Sequence, residues 1–257
     1  MFSESYGGHY LPNIAKLIMQ QRQIQLKSIV IGNGLINPHI QFRAYFKMAC
    51  DGETKLFDSQ ECQRIKYRLN SAYVTLDSCH ASQNPKVCTE AWKKVDDAIV
   101  APYVNNGKDI YNINQNLPNY YDSSVNRTET FFNQPHVQKA LAIAPTTFKA
   151  ESEGVYNSFF NSGDLMDSLM DPISQLLDDQ VRVLLFAGDA DFLCNWIGLE
   201  TVTEQFNWYG SSKFRSQSFH YWFDPQRNQV AWRLRSFRNL SFVRLLNATH
   251  MVSIQLV

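Results

Sequence analysis

Between Leu11 and Ile18 the apolar positions Leu11, Ile14, Ala15 and Ile18 fall at i, i+3, i+4 and i+7, one face of a helix. An amphipathic helix is therefore predicted over about residues 9–22, with Pro12 in its first turn, where a missing N–H costs nothing. Leu26–Ile31 is a short β-branched run that stops at Gly32-Asn33-Gly34 and reads as a buried strand entering a turn. Residues 50–130 differ in character, rich in Asn, Ser and Asp with only weakly periodic segments, as expected of an insertion or cap. A capped helix is predicted from Asn133-Gln134-Pro135, carrying Val137, Ala140 and Leu141 on one face, and another over Met166–Leu177. Val181–Ala187 is a strong strand candidate and Ser241–Leu246 a shorter one. Strands alternating with helices, and apolar inside, predict an α/β domain with a mostly parallel sheet. Its core would be formed by residues 1–49 and 131–257, interrupted by the 50–130 insertion.

Composition narrows the partners. The 257 residues carry 24 Lys+Arg against 24 Asp+Glu, so there is no electrostatic footprint for nucleic acid or an anionic membrane. With 44% apolar and 19% charged residues the chain is globular rather than disordered. No apolar run approaches the roughly 18 residues that span a bilayer. Met1-Phe2-Ser3-Glu4 has neither the basic region nor the apolar core of a signal peptide. Oligomeric state is not legible.

Four of the five cysteines, Cys50, Cys62, Cys79 and Cys88, form two couples 12 and 9 residues apart, with Cys194 left over. Zinc knuckles of the C-x2-4-C kind are absent and the six histidines lack ligand spacing, so no metal or other cofactor is expected. Two short disulfides, Cys50–Cys62 and Cys79–Cys88, fit better; reduced, buried thiols in a cytosolic protein are the alternative. Sequons at Asn126, Asn239 and Asn247 point with the cysteines to a secretory, vacuolar or lysosomal lumen. Asn126, in a polar stretch, is the favoured acceptor, and Asn247, at the end of a buried strand, the least favoured. The N-terminus and the implied compartment disagree.

Three residues suggest chemistry. Ser5 stands in Ser3-Glu4-Ser5-Tyr6-Gly7-Gly8-His9, just before a helix, like a nucleophile elbow of form x-x-S-x-G. Gly7 would permit a close backbone approach, and the N–H of Tyr6 would meet an oxyanion at the helix start. A Ser/Gly-rich helix cap is the plainer reading. After Val181–Ala187 come Asp189 and Asp191, where an α/β-hydrolase places the carboxylate that orients its histidine. Asp191 is preferred, since Asp189 lies within the turn and suits local backbone N–H groups, although both could be mere turn formers. His250 follows the next strand, where the general base would stand. The order Ser5, Asp191, His250 is that of α/β-hydrolases, unlike chymotrypsin or subtilisin folds.

These residues resemble the serine carboxypeptidase family, in its carboxypeptidase Y-like fungal form. Ser3–Pro12 (SESYGGHYLP) resembles the family's G-E-S-Y-A-G-H-Y-[IV]-P, and Ile31–Pro38 (IGNGLINP) its I-G-N-G-L-T-D-P. Ala187–Gly198 (AGDADFLCNWIG) resembles the aspartate motif, in which the second Asp is catalytic, and His250-Met251-Val252 the G-H-M-V-P motif. The resemblance implies an α/β-hydrolase fold, a mostly parallel sheet with helices on both faces and a disulfide-containing insertion, incomplete at both ends. It implies Ser5 as nucleophile, His250 as base and Asp191 as its orienter. Glu4 would bind the C-terminal carboxylate of a peptide, sharing a proton in acid, and Tyr6, Cys194 and Met251 would contact substrate. The insertion is similar to the family's disulfide-laced cap. A further family bridge would join positions near Ala72 and Val95, where both cysteines are absent together.

Departures accompany the matches. The family's N-terminal W-x-N-G-G-P-G segment has no counterpart. Ser3, Thr249 and Ser253 replace a glycine, a glycine and a proline of its motifs. The resemblance thus implies an acid-pH serine carboxypeptidase acting on peptide or protein C-termini, in partial or inactive form. An esterase or acyltransferase on the same fold, or a non-catalytic binding pseudoenzyme, are the competing readings.

Overall fold

The computed structural model describes residues 1–52, 55–117, 120–226 and 228–252. Ser253, at the family's proline position, lies outside the described residues. Among the described residues six strands form one sheet: β1 (Phe2–Glu4), β2 (Ser28–Gly32), β3 (Arg182–Gly188), β4 (His220–Asp224), β5 (Gln229–Phe237) and β6 (Leu240–Leu245). Their spatial order is β1-β2-β3-β6-β5-β4. The β1, β2, β3 and β6 ladders are parallel, and β6, β5 and β4 continue antiparallel. Register places Ile29 opposite Val183, Ile31 opposite Leu185 and Leu185 opposite Phe242, so one face is a continuous apolar surface. The β4–β5 hairpin lies outside the strands predicted from sequence.

Helices α1 (Gly7–Gln21), α4 (Met170–Asp178) and α5 (Trp196–Gln205) pack on that face, around Leu11, Ala15, Ile173, Leu176, Leu199 and Val202. Each of these helices sends its apolar stripe to the sheet, and α1 leaves Ile14 and Leu17 about half exposed on its other side. The opposite face of the sheet, with Val30, Leu184 and Phe186, is part-buried.

The insertion is more regular than its composition suggests. Helix α2 (Ser59–Ser82) runs 24 residues and doubles back into α3 (Pro85–Val95). Asp58 caps α2 by accepting from the Glu61 N–H, and Asn84 caps α3 by accepting from Lys86 and Val87 N–H, with Pro85 at the first position. Ile65, Leu69, Ala72, Leu76 and Cys79 form a buried stripe at alternating spacings of four and three, which the scattered polar residues between them mask. Disulfides join Cys50 to Cys62 and Cys79 to Cys88, with Cα separations of 5.8 and 4.7 Å, and Cys194 is free and buried. Ala72 and Val95 are buried in the same cluster, which also takes in Tyr45, Phe192 and Cys194. Packing therefore runs continuously from the insertion to the loop after β3. Among the described residues, no helix is long and apolar enough to cross a membrane.

Candidate active site

The sharp exit from β1 brings Ser5 to the C-terminal edge of the sheet. Its φ is 57°, the left-handed region that costs an ordinary residue about 1–2 kcal/mol. Backbone bonds hold it there: the Ser5 N–H donates to the Gly32 carbonyl at 3.0 Å, and its carbonyl accepts from Gly8 and Leu35 N–H at 2.9 and 3.0 Å. The close backbone approach expected at Gly7 is made instead by Gly8, where a Cβ would lie 2.5 Å from the Leu35 carbonyl oxygen. Gly7 meets a side chain: a Cβ there would sit 2.6 Å from the Cβ of Ser3. The serine at the elbow's usual glycine position is thus accommodated by Gly7, two residues after Ser5. Among the described residues no backbone carbonyl takes the Tyr6 N–H, at the start of α1. The Tyr6 hydroxyl donates to Asp164 at 2.5 Å, and burial, first, and that carboxylate hold its pKa far above the usual phenol value.

Asp191 is fully buried and its carboxyl oxygens have three hydrogen-bond partners. Oδ2 pairs with His250 Nδ1 at 2.6 Å and accepts from Asn33 Nδ2 at 2.7 Å, while Oδ1 accepts from the Cys194 N–H at 3.2 Å. Asp189 does a different task. Its carboxylate accepts from the Asn247 N–H at 2.7 Å and from Arg244 at 3.1 Å, pinning the loop that carries His250. These partners are distant in sequence, not the local turn amides expected for it.

Burial by itself would lower the His250 pKa; the Asp191 carboxylate, by charge and hydrogen bond, with Glu4 and Asp109 beyond it, outweighs burial and raises it above 6.5. Glu4 therefore lies within electrostatic reach of both His250 and Cys194. Burial first, then Asp191 and Glu4, push the Cys194 thiol well up, so it is protonated. Asp191, Cys194 and His250 bring a carboxylate oxygen, sulfur and imidazole nitrogen within 4.8 Å of one another. The Nδ1–Oδ2 bond joins imidazole and carboxylate directly, and Cys194 is tied to the same carboxylate through its backbone N–H. Met251 is part-buried beside His250.

Three contributors escaped the sequence reading. Asn33 bridges strands, giving its amide N–H to Asp191 and accepting from the Gly188 N–H at 3.2 Å. Tyr111, from the insertion, accepts the His250 N–H at 2.9 Å and sets its ring 4.9 Å from the imidazole. Asp109 is buried and adds negative charge. Ile113 and Ile110 backbone bonds to Ala190, Phe192 and Leu193 lay this segment over the Asp191 loop.

The sequons separate. Asn126 and Asn247 are exposed. Asn239 is buried, its Nδ2 donating to the Leu177 and Val181 carbonyls at 2.7 and 2.9 Å and its Oδ1 accepting from Tyr209. The nitrogen that would carry a glycan is therefore enclosed at Asn239, against the expectation for that sequon. Asn247 stands in a left-handed turn beyond β6 rather than within a buried strand end.

A model of the serine carboxypeptidase family matches residues 1–256. The chain belongs to the serine carboxypeptidase family. Carboxypeptidase Y of Saccharomyces cerevisiae is 30% identical over 255 residues, covering 97% of this chain and 48% of that protein. A vacuolar serine-type carboxypeptidase of the same yeast is 27% identical over 259 residues, covering 97% and 51%. The crystal structure of Kex1(delta)p, a prohormone-processing carboxypeptidase from S. cerevisiae, superposes with a TM-score of 0.78 at 22% identity. It covers 99% of this chain and 58% of that one. The fold is thus of the α/β-hydrolase type that serine carboxypeptidases share, and the chain spans about half the length of these relatives.

Proposed function

We propose that the protein containing this chain is a serine-type carboxypeptidase that releases C-terminal residues through an acyl-enzyme. The observation that carries this reading is the buried Asp191–His250 pair at the same sheet edge as the left-handed Ser5. Asp191 binds Nδ1 and so leaves Nε2 of His250 to take the Ser5 proton as Oγ attacks the scissile carbonyl. The charged imidazolium is stabilised by Asp191 and then protonates the departing amino acid. The Tyr6 N–H supplies one oxyanion donor. Glu4 binds the substrate's C-terminal carboxylate through a shared proton, and Tyr6, Cys194 and Met251 flank the substrate.

Two charges pull the pH dependence in opposite directions. Carboxylate recognition by Glu4 favours acid, whereas a His250 pKa raised above 6.5 charges the base in acid. Peptide release should therefore peak at lower pH than ester hydrolysis, because esters do not need the shared proton. The two disulfides and the vacuolar relative support a lumenal, vacuolar or secreted setting.

The test is amino-acid release from a blocked dipeptide by the native polypeptide and its Ser5→Ala variant. Release abolished by Ser5→Ala supports the proposal. Ester turnover without amino-acid release would reassign the site to an esterase or acyltransferase, and no stoichiometric labelling by an organophosphonate would make it a pseudoenzyme.

A further inference from the structure

The edge of the sheet away from the site ends in β4, whose sequence is His220-Tyr221-Trp222-Phe223-Asp224. Edge strands are ordinarily blunted by lysine, proline or a bulge on the outer strand, because their unpaired N–H and C=O groups recruit other strands. β4 carries none of these within its length. Instead Tyr221, Trp222 and Phe223 are 61%, 45% and 51% exposed. The register shift between Trp222 and Phe223 arises from an extra residue on β5, since Trp222 faces Trp232 and Phe223 faces Val230. The alternation of β4 itself is therefore unbroken. Its side chains are already positioned: Trp222 stacks on Trp232 at 5.9 Å and 5°, and the Arg233 guanidinium lies 5.5 Å over Tyr221.

We propose that β4 pairs with β4 of a second copy of this chain, antiparallel and centred on Trp222, joining two sheets into one. The strand is complementary to itself in that register. Trp222 meets Trp222 of the second copy, each Tyr221 meets a Phe223, and each His220 imidazole meets an Asp224 carboxylate. Aromatic pairs lie on one face, and the tryptophan pair flanked by two His–Asp pairs on the other. A parallel arrangement sets His220 beside His220 and Asp224 beside Asp224, and a one-residue slip reverses the faces. Pro225 ends the strand directly after the charged residue, limiting the ladder to these five positions. Hydrogen-bond and ring complementarity thus select one occupant, another copy of the same strand. The contact is two-fold symmetric and closes at a dimer.

Cysteine cross-linking of the native polypeptide reads the register directly. At the symmetry centre the two Cα atoms lie about 4.5–5.5 Å apart, within disulfide reach. Trp222→Cys should therefore form a covalent dimer under mild oxidation. Tyr221→Cys and Phe223→Cys should not link to themselves, because their own copies stand diagonally at about 7–8 Å, yet an equimolar mixture of the two should cross-link. The unmodified protein should sediment as a concentration-dependent dimer, and Trp222→Lys, which sets two cations face to face, as a monomer. Three results overturn the proposal: a monomer throughout for the unmodified protein, equal self-linking at positions 221, 222 and 223, or a dimer that survives Trp222→Lys. The last would mean that another face makes the contact.

Discussion

Asn33 is the residue whose removal tests the site's architecture most directly. It is fully buried, adopts φ 41° and holds two groups from the next strand and its loop. In Asn33→Ala the buried Asp191 carboxylate loses one of its three donors, a charge-assisted bond of about 1.5–3 kcal/mol. The Gly188 N–H is left without its acceptor, a further penalty of about 1–3 kcal/mol where no water enters. Alanine also tolerates the left-handed conformation less well than asparagine. The expected loss is about 3–5 kcal/mol of folding stability, a large share of the roughly 5–15 kcal/mol a domain possesses. Denaturant unfolding of Asn33→Ala, Asp191→Asn and the double variant checks it. Because Asn33 acts on Asp191, the two losses should fall short of additivity by about 1 kcal/mol or more. A loss below about 1 kcal/mol, or additivity within about 0.5 kcal/mol, would refute the bridging role.

Removing one negative neighbour in Glu4→Gln should lower the His250 pKa, measured by proton NMR titration of its ring; an unchanged titration would place Glu4 outside its field. Because the folded pKa of His250 is raised, its stabilising share is complete below the unfolded value near 6.5 and disappears as pH rises through the folded value. His250→Gln should remove that part of the pH dependence of unfolding. Non-reducing peptide maps should link Cys50 to Cys62 and Cys79 to Cys88, and opening the second bridge by Cys79→Ser with Cys88→Ser should cost about 2–3 kcal/mol. Glycopeptide analysis of secreted protein should find sugar on Asn126 and Asn247 and none on Asn239; a glycan on Asn239 would contradict its enclosed amide.

Of the parallel strands, β2, β3 and β6 were legible because buried residues recur along them and show as apolar runs, whereas β1, only Phe-Ser-Glu and partly exposed, was not. The predicted Val181–Ala187 and the observed Arg182–Gly188 differ by one residue at each end. The hairpin was not legible for the opposite reason. Every residue of β4 but Asp224 is exposed, so no buried face marks that strand. In β5 the alternation of Trp232 and Leu234 with Arg233 and Arg235 is too short a signal where both faces are part-buried. In α2 the stripe from Ile65 to Cys79 includes an alanine and a cysteine, small residues whose burial the surrounding Asn, Ser and Thr conceal. Asp191 and His250 stood out because each follows a recognisable strand, and Ser5 because a serine with glycine two residues on precedes an amphipathic helix. Asn33 also follows one, but asparagine at a strand end reads first as a turn former, and only the pairing of β2 with β3 shows what its amide reaches. Tyr111 and Asp109 had no local signal, since their role depends on where the insertion folds back.

Sheet order explains how residues so far apart in the chain converge. Ser5 follows β1, Asn33 follows β2, Asp191 lies in the loop after β3 and His250 in the loop after β6, and these four strands are successive neighbours. Parallel neighbours stand about 4.8 Å apart, so each side chain needs to reach only across one or two strands. Reaching sideways requires each chain to leave its strand abruptly, and both Ser5 and Asn33 do so with positive φ. The last approach is set by Gly188. A Cβ there would lie 2.3 Å from the Thr249 carbonyl oxygen and 2.4 Å from that of Ala248, so any side chain would push the histidine loop outward. A displacement of even 1 Å would stretch the 2.6 Å bond between His250 and Asp191 beyond hydrogen-bonding range. The glycine thus fixes the distance on which the His250–Asp191 bond depends, and Asp189 fixes the loop's direction through the Asn247 N–H. The residues without chemistry of their own determine whether those with it can meet.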